Sequence, residues 1–436
     1  MFISVRQNEM NNINEIKASH LCYGCGTCNV VCGHQAITMQ YDNIGRLLPM
    51  IDDSKCTNCG LCYNNCPSLD LKGIQLPDTE DKYLGNIEGV YIGKATDERI
   101  YKNSQSGGLV TATLKYLFDS GKIDATVVCR VEDAVEYTPK AVVITTVEDL
   151  YACQKSSYVP IDIVSALKQT EQYQSIAVVG TGCHIQGVRA LQNFNKKYKE
   201  KIKYTLGLIC DRTLCKTATD VLYGDNFKGA TKRMIWRDKS LNYKNARILI
   251  KTTDNRTKQV PTWKRHTLKD PFTNPRCRIC FDKLNTGADI LYGDPWGMDN
   301  VDWDGGMSVV IPRTLVGAKI LKEMQHYLLV KLQEAPLEEV IKGQFIERRR
   351  KDVASALTYY KHKSWLVPSY AETLNPSEEN PQLNALIDKF VEDSTKSKDE
   401  IVNQNIKYLR NEGFKKAVNN IAIFRIPIRI LRKIIR

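Results

Sequence analysis

Apolar and polar positions set a clear rhythm from residue 89 onward. GVYIGKAT (89–96), ATVVCRVE (125–132), KAVVITT (140–146), SIAVVG (175–180) and YTLGLIC (204–210) are short apolar runs rich in β-branched residues. Each is bounded by turn residues and is predicted to be a strand. LVTATLKYLFDSG (109–121) spaces its apolar residues at helical period and ends on Gly121, which predicts a helix with a glycine cap. YVPIDIVSALKQTEQY (158–173) and IQGVRALQNF (185–194) keep the helical period. Strands and helices in alternation predict a sheet covered by helices.

The texture changes on either side of this stretch. From about 231, RMIWRDKS, ARILIKTT and KQVPTW predict a β meander. ADILYGD (288–294) and MSVVIPR (307–313) follow as strands, and AKILKEMQHYLLVKL (318–332) as a helix. After about 352 the pattern is mostly helical, with NPSEENPQ as a turn or linker. Before 89, AITMQYDNIGRLLPMIDDSK reads as a strand, a turn at 42–45 and a second strand. LKGIQLPDTEDKYLGNIE (71–88) is polar and turn-rich and reads as a linker.

The cysteines give the short N-terminal stretch its meaning. Cys22, Cys25, Cys28 and Cys32 form one C-x2-C-x2-C-x3-C run, and Cys56, Cys59, Cys62 and Cys66 form a second. This is the thiolate spacing of a two-cluster 4Fe–4S ferredoxin. Three thiolates of a run hold one cluster, and the fourth reaches the other. Cluster one is therefore expected on Cys22, Cys25, Cys28 and Cys66, and cluster two on Cys56, Cys59, Cys62 and Cys32. Gly24, Gly26 and Gly60 stand between ligands, where the backbone turns tightly. Pro67 follows the second run, whereas Gly33 follows the first. The competing reading is a pair of zinc knuckles or a disulfide framework. Zinc sites usually set two Cys pairs apart by a longer spacer.

Composition narrows the setting. The chain has 436 residues, 42% hydrophobic and 25% charged, as in a globular protein with real cores. Fifteen cysteines without a secretory pattern point to a reducing cytoplasm. No stretch approaches the apolar length of a membrane span. The net charge of +13 suits an anionic partner, a phosphate-bearing cofactor or a membrane surface. No nucleic-acid-binding motif accompanies it, so no nucleic acid is expected.

Further chemistry sits in turns at the ends of predicted strands, where α/β sheets place ligands. Ser104, Ser106, Gly107 and Gly108 lie in SQSGG before a helix, as a phosphate or flavin-edge cradle or as a simple cap and turn. Gly180, Thr181, Gly182 and Cys183 form a strand-to-helix turn, and a cysteine there is expected to have a depressed pKa. Cys210 ends LGLIC, and Cys277 and Cys280 form a C-x2-C pair. Together with Cys183 they can ligate a third iron–sulfur cluster, hold a structural zinc, or never meet. Asp294 and Trp296 end ADILYGDPWG, as flavin contacts or as a turn acid and a core indole. Cys129, Cys153 and Cys215 read as buried or spare thiols.

In this order the motifs resemble the coenzyme F420 hydrogenase/dehydrogenase beta-subunit family, in the form fused to an N-terminal ferredoxin. The series is SQSGG, QKSSYV (154–159), GTGC, LGLIC, CRIC and ADILYGDPWG, and the resemblance covers about 18–315. It implies FAD in the α/β domain, with Ser104, Ser106, Gly107, Gly108, Lys155 and Ser156 at the flavin. It implies a third cluster on Cys183, Cys210, Cys277 and Cys280. It implies a ferredoxin or hydrogenase-like redox partner and an organic substrate or coenzyme F420 acceptor. Some ferredoxin-fused members also resemble proteins of polysaccharide biosynthesis. Gly182 and Ile209 replace a proline and a phenylalanine common in the family. The catalytic residue and the substrate are not named by these motifs.

The expected fold is therefore α+β. A two-cluster ferredoxin domain (18–70) and a linker (71–88) precede an α/β flavoprotein domain with a β-rich part (89–352). A helical C-terminal region (353–436) ends the chain. Its tail, FKKAVNNIAIFRIPIRILRKIIR (414–436), is a basic amphipathic stretch that fits an anionic membrane surface or a docked terminal helix.

Overall fold

The computed structural model describes residues 11–74, 81–134, 136–224, 231–239, 242–374 and 377–422. The expected mixed architecture is present. Strands β1 (Ile37–Tyr41) and β2 (Leu47–Ile51) pair antiparallel in the cysteine-rich N-terminal part. The hairpin turn is locked by Asp42, whose carboxylate accepts from the Gly45 and Arg46 amides at 3.0 and 2.7 Å. Gly45 has φ +89, and a Cβ there would meet the Lys216 amide at 2.4 Å. The turn therefore abuts the large domain directly.

The large domain is built on one mixed sheet of eight strands. These are β3 (Tyr91–Ala95), β4 (Ala125–Glu132), β5 (Thr138–Ile144), β6 (Ile176–Thr181), β7 (Ile202–Leu208), β11 (Ile290–Gly293), β12 (Ser308–Pro312) and β13 (Val330–Glu334). Their order is β13-β3-β12-β11-β7-β6-β4-β5. The centre, β11-β7-β6-β4, is parallel, and antiparallel strands close both edges. The apolar runs read from sequence are these strands. Central positions such as Ala177, Val178, Leu206 and Leu291 are fully buried, as parallel strands between helices require. A separate antiparallel meander, β8 (Thr231–Asp238), β9 (Arg247–Thr252) and β10 (Thr257–Val260), stands where the β texture was read.

Two sequence expectations are corrected. The stretch 318–332 is not one helix. The helix Leu315–His326 stops, Leu328 takes φ +55, and Val330–Glu334 adds β13 to the edge against β3. The apolar run LLVKL satisfies either period, and pairing with a free strand edge decides it. The helical pattern at 158–173 is a 3-10 helix over Ile163–Thr170.

Residues 81–88 carry no regular structure yet are tightly held. Tyr83 is buried against Phe281, and the buried Arg313 donates to the Leu84, Asn86 and Leu284 carbonyls. One apolar core joins Cys22, Cys28 and Cys66 to Ile279, Phe281 and Leu284 and to the C-terminal helix Ile346–His362. The ferredoxin-like part is thus packed into the body of the protein.

Candidate functional site

The two N-terminal runs fold so that their fourth cysteines cross over. Cys22, Cys25 and Cys28 are buried beside Cys66, and charge on any of these thiols is felt by the others. Burial and the neighbouring thiolates push Cys66 up to about 12 and Cys22 and Cys28 higher still. Cys32, Cys56, Cys59 and Cys62 instead line one cleft near the surface, and Cys59 is exposed. Cys28 also senses Cys62, so the two groups adjoin. Gly24 (φ +76) and Gly26 (φ +91) occupy backbone conformations that other residues avoid. A Cβ on Gly24 would meet the Leu47 carbonyl at 2.6 Å.

The remaining four cysteines come from three separate places. Cys183 lies in the first turn of the helix Gly182–Phe194, directly after β6. Cys210 lies just past β7, with its amide donating to the Lys283 carbonyl at 3.1 Å. Cys277 ends up beside it on a short helix, Pro275–Arg278, and Cys280 follows. The structure brings all four together: Cys183 senses Cys210 and Cys280, and Cys210 senses Cys277 and Cys280. The expectation of a depressed Cys183 pKa is corrected. Burial and the neighbouring thiolates raise it, overriding the helix N-terminus and the Thr181 hydroxyl 3.2 Å away. Such a set of thiols cannot ionise together without a bound cation. Four cysteines brought together from three places are a donor set that a 4Fe–4S cluster or a structural zinc can take.

The thiol groups adjoin. A Cβ on Gly187, one turn after Cys183, would meet Thr27 Oγ1 at 2.3 Å and Cys25 Sγ at 3.6 Å. Tyr23, inside the first run, donates through its hydroxyl towards Cys280 Sγ at 4.0 Å. The Cys25 carbonyl accepts from the Val164 amide, and the Cys22 carbonyl from Asn274 Nδ2. His184 closes the helix start: Nδ1 accepts from the Thr181 amide, and Nε2 donates to the Ile161 carbonyl at 2.7 Å. Burial holds this imidazole near a pKa of about 4, so it is neutral.

The turns expected at a flavin are closely packed. SQSGG does stand before the helix Leu109–Asp119, with Gly108 as a left-handed cap at φ +77. The buried Ser104 hydroxyl bonds the Tyr101 and Ser106 carbonyls, and Ser106 meets the Ser308 hydroxyl at 3.0 Å. A Cβ on Gly107 would strike the Gly93 carbonyl at 2.5 Å, and one on Gly108 would strike Ile100 at 2.9 Å. These residues serve the turn's own packing. Gly180 and Gly182 likewise pack on His184 and Asp282. Asp294 is committed to the buried Arg237 and to the Tyr243 hydroxyl at 2.8 Å. Trp296 stacks with Tyr243 and Trp303.

Over the SQSGG turn lies a cationic group the motifs did not reveal. Lys239 Nζ donates to the Tyr101 and Ser106 carbonyls at 2.9 and 3.1 Å and to the Gly305 carbonyl at 3.1 Å. Burial, then Lys155, lowers Lys239 to about 8. Lys155, at φ +82, is lowered by burial and by Arg233. The Ser156 amide donates to Gln105 Oε1, which ties the two turns. The three carbonyls take up all three Lys239 donors, so what this group presents to the turn is its charge. No spacing rule finds Lys239, because it comes from the end of β8, far away in sequence.

Residues 90–168 match the N-terminal model of the coenzyme F420 hydrogenase/dehydrogenase beta subunit, and residues 173–337 match its C-terminal model. The chain belongs to this family. Residues 21–69 match a 4Fe-4S dicluster domain, which makes this an iron–sulfur member. It is 29% identical over 363 residues to a coenzyme F420-dependent sulfite reductase of Methanocaldococcus jannaschii, covering 78% of this chain and 52% of that protein. The chain thus spans about half the length of that relative. It is 25% identical over 299 residues to the beta subunit of a coenzyme F420 hydrogenase of Methanosarcina barkeri, covering 65% of this chain and 97% of the other. One chain of the F420-reducing [NiFe] hydrogenase complex of Methanosarcina barkeri superposes with TM-score 0.52 at 26% identity. That match covers 70% of this chain and 99% of the other. Among the described residues, no helix is long and apolar enough to cross a membrane. Most of the basic tail expected at 414–436 lies outside the described residues, which end at 422.

Proposed function

We propose that this chain is an iron–sulfur flavoprotein oxidoreductase. It passes electrons between a redox partner protein, three 4Fe–4S clusters and FAD, to or from an organic substrate or a deazaflavin acceptor such as coenzyme F420. The single observation that carries this reading is the adjacency of the thiol groups through Tyr23, Gly187 and Cys25. Clusters supply one-electron steps, and a flavin couples them to two-electron chemistry.

Each part of the chain has a task in this reading. Cys32, Cys56, Cys59 and Cys62 hold a cluster at the exposed cleft, where a hydrogenase-like partner gains access. Cys22, Cys25, Cys28 and Cys66 hold the buried second. Cys183, Cys210, Cys277 and Cys280 hold the third. Lys239 and Lys155 face the flavin's phosphates above Ser104, Ser106, Gly107 and Gly108, while Gln105 keeps Ser156 in place. A second reading is an electron-transfer subunit that feeds a partner and has no substrate site of its own. Asp294, Ser104 and the turn glycines being taken up internally favours keeping that reading in view.

The test is cofactor content after anaerobic reconstitution. The wild type should bind about twelve irons and one flavin, and Cys280→Ala should lose about four irons while keeping the rest. Equal iron in both proteins would refute the third cluster. Reduction of a small organic acceptor or coenzyme F420 by the isolated chain would separate the first reading from the second.

A further inference from the structure

Arg276 is among the largest fully buried side chains of the protein. Its Nη2 donates to the Tyr370 hydroxyl at 2.7 Å and more weakly to the Ser68 carbonyl at 3.4 Å. Its Nη1 donates to the Ile279 carbonyl at 3.3 Å, and its Nε has no partner. None of these acceptors is a carboxylate. A buried cation without a counter-charge is costly, so its anion must come from elsewhere.

The surroundings show which anions are near. The guanidinium lies 4.2 Å from the Tyr23 ring centroid, and the Tyr23 hydroxyl points at Cys280. Ser68 is two residues past Cys66, and Cys277 follows Arg276 directly. Both Cys66 and Cys280 feel the Arg276 charge. Arg349 is a natural contrast. It too is buried, but it binds the Asp211 carbonyl, and the thiols beside it are Cys210, Cys277 and Cys280, next to the Asp211 carboxylate.

We propose that Arg276 is a charge shared across the junction: it raises the reduction potential both of the centre held by Cys66 and of the centre held by Cys280, whereas Arg349 acts on the second alone. A fixed cation stabilises the more negative reduced state of any centre near it, and charge and hydrogen bonding are among the levers that set cluster potentials. Arg276 is a positioning residue, since it holds no iron. The inference rests on the three-cluster reading above.

The experiment is an EPR-monitored redox titration of the full chain, reconstituted anaerobically, as wild type, R276K, R276M and R349M. R276M should make both centres about tenfold harder to reduce, a shift of about 59 mV for a one-electron couple. R276K should recover most of that shift, which a purely structural role would not produce. R349M should move only the centre on Cys183, Cys210, Cys277 and Cys280. An R276M protein in which neither centre moves, or only one does, overturns the inference. If R276M fails to hold iron, Arg276→Gln carries the test. It removes the charge but keeps a polar side chain, and should shift both midpoints the same way; unmoved midpoints overturn the inference. A wild type with about eight irons would instead overturn the third-cluster reading beneath it.

Discussion

The buried thiols of the ferredoxin-like part and those of the large domain are assembled by opposite means. Cys22 and Cys25 sit on one short loop whose glycines turn the backbone, Cys28 sits at the start of the helix Thr27–Val31 that follows, and only Cys66 comes from afar. Cys183 and Cys210 instead arrive on the ends of two parallel strands, β6 and β7, and Cys277 and Cys280 arrive on a loop that returns beside them. The first group depends on local turns. The second depends on the register of a whole sheet. Both kinds of site place their ligands where strands end or turns tighten, but they fail under different perturbations.

This contrast can be broken deliberately. Gly207 in β7 faces Asn285 and Ala288, and a Cβ there would lie 2.6 Å from Asn285 and 2.7 Å from Ala288. Gly207→Val should push the end of β7 away from the CRIC loop at a cost of about 1–3 kcal/mol or more. Iron analysis should then show about four irons lost with no ligand altered, while the ferredoxin part keeps its own. Gly24→Ala is the mirror experiment. Its left-handed backbone and the Leu47 carbonyl oppose a side chain, at about 1–2 kcal/mol for the conformation alone. Iron should now be lost from the N-terminal part, with the large-domain centre retained.

A substitution at the join should affect both regions mildly. Gly187→Ala places a methyl 2.3 Å from Thr27 Oγ1, so the helix Gly182–Phe194 must shift against the first cysteine loop. Thermal unfolding should show a loss of about 1–3 kcal/mol with iron content unchanged. The smallest effect concerns pH. Lys239 has a folded pKa of about 8, below its ordinary value. Between these values the unfolded chain holds the extra proton, so this group's contribution to stability rises with pH above about 8. Flavin affinity should fall across the same window, because the turn loses its cation. Differential scanning and flavin titration at pH 7 and pH 9 should therefore move in opposite directions.

Much of this was legible in the sequence. The strands at 125–132 and 175–180 and the helix capped by Gly121 needed only period and turn residues. The crossed grouping of the eight ferredoxin cysteines followed from their spacing, because the ligands are close in sequence. Cys183, Cys210, Cys277 and Cys280 were readable as one of several possible groupings, and the family series favoured it, since no spacing joins strand ends that meet in space. Arg276, Tyr23 and Lys239 were not legible. Their surroundings come from burial and from partners far along the chain, and Arg276, just before CRIC, looks in sequence like any solvated charge. Asp294 was read as a flavin contact or a turn acid, and its partner Arg237 on β8 lies too far along the chain for spacing to reveal.

In the proposed route, the centre on Cys183, Cys210, Cys277 and Cys280 stands between the ferredoxin-like part and the flavin. Stopped-flow mixing of the flavin-loaded chain with a reduced ferredoxin-type donor tests it most directly, with wild type and Cys280→Ala compared under anaerobic conditions. The N-terminal clusters should be reduced in both proteins, while the flavin should be reduced promptly only in the wild type. Flavin reduction at the same rate in Cys280→Ala would contradict it.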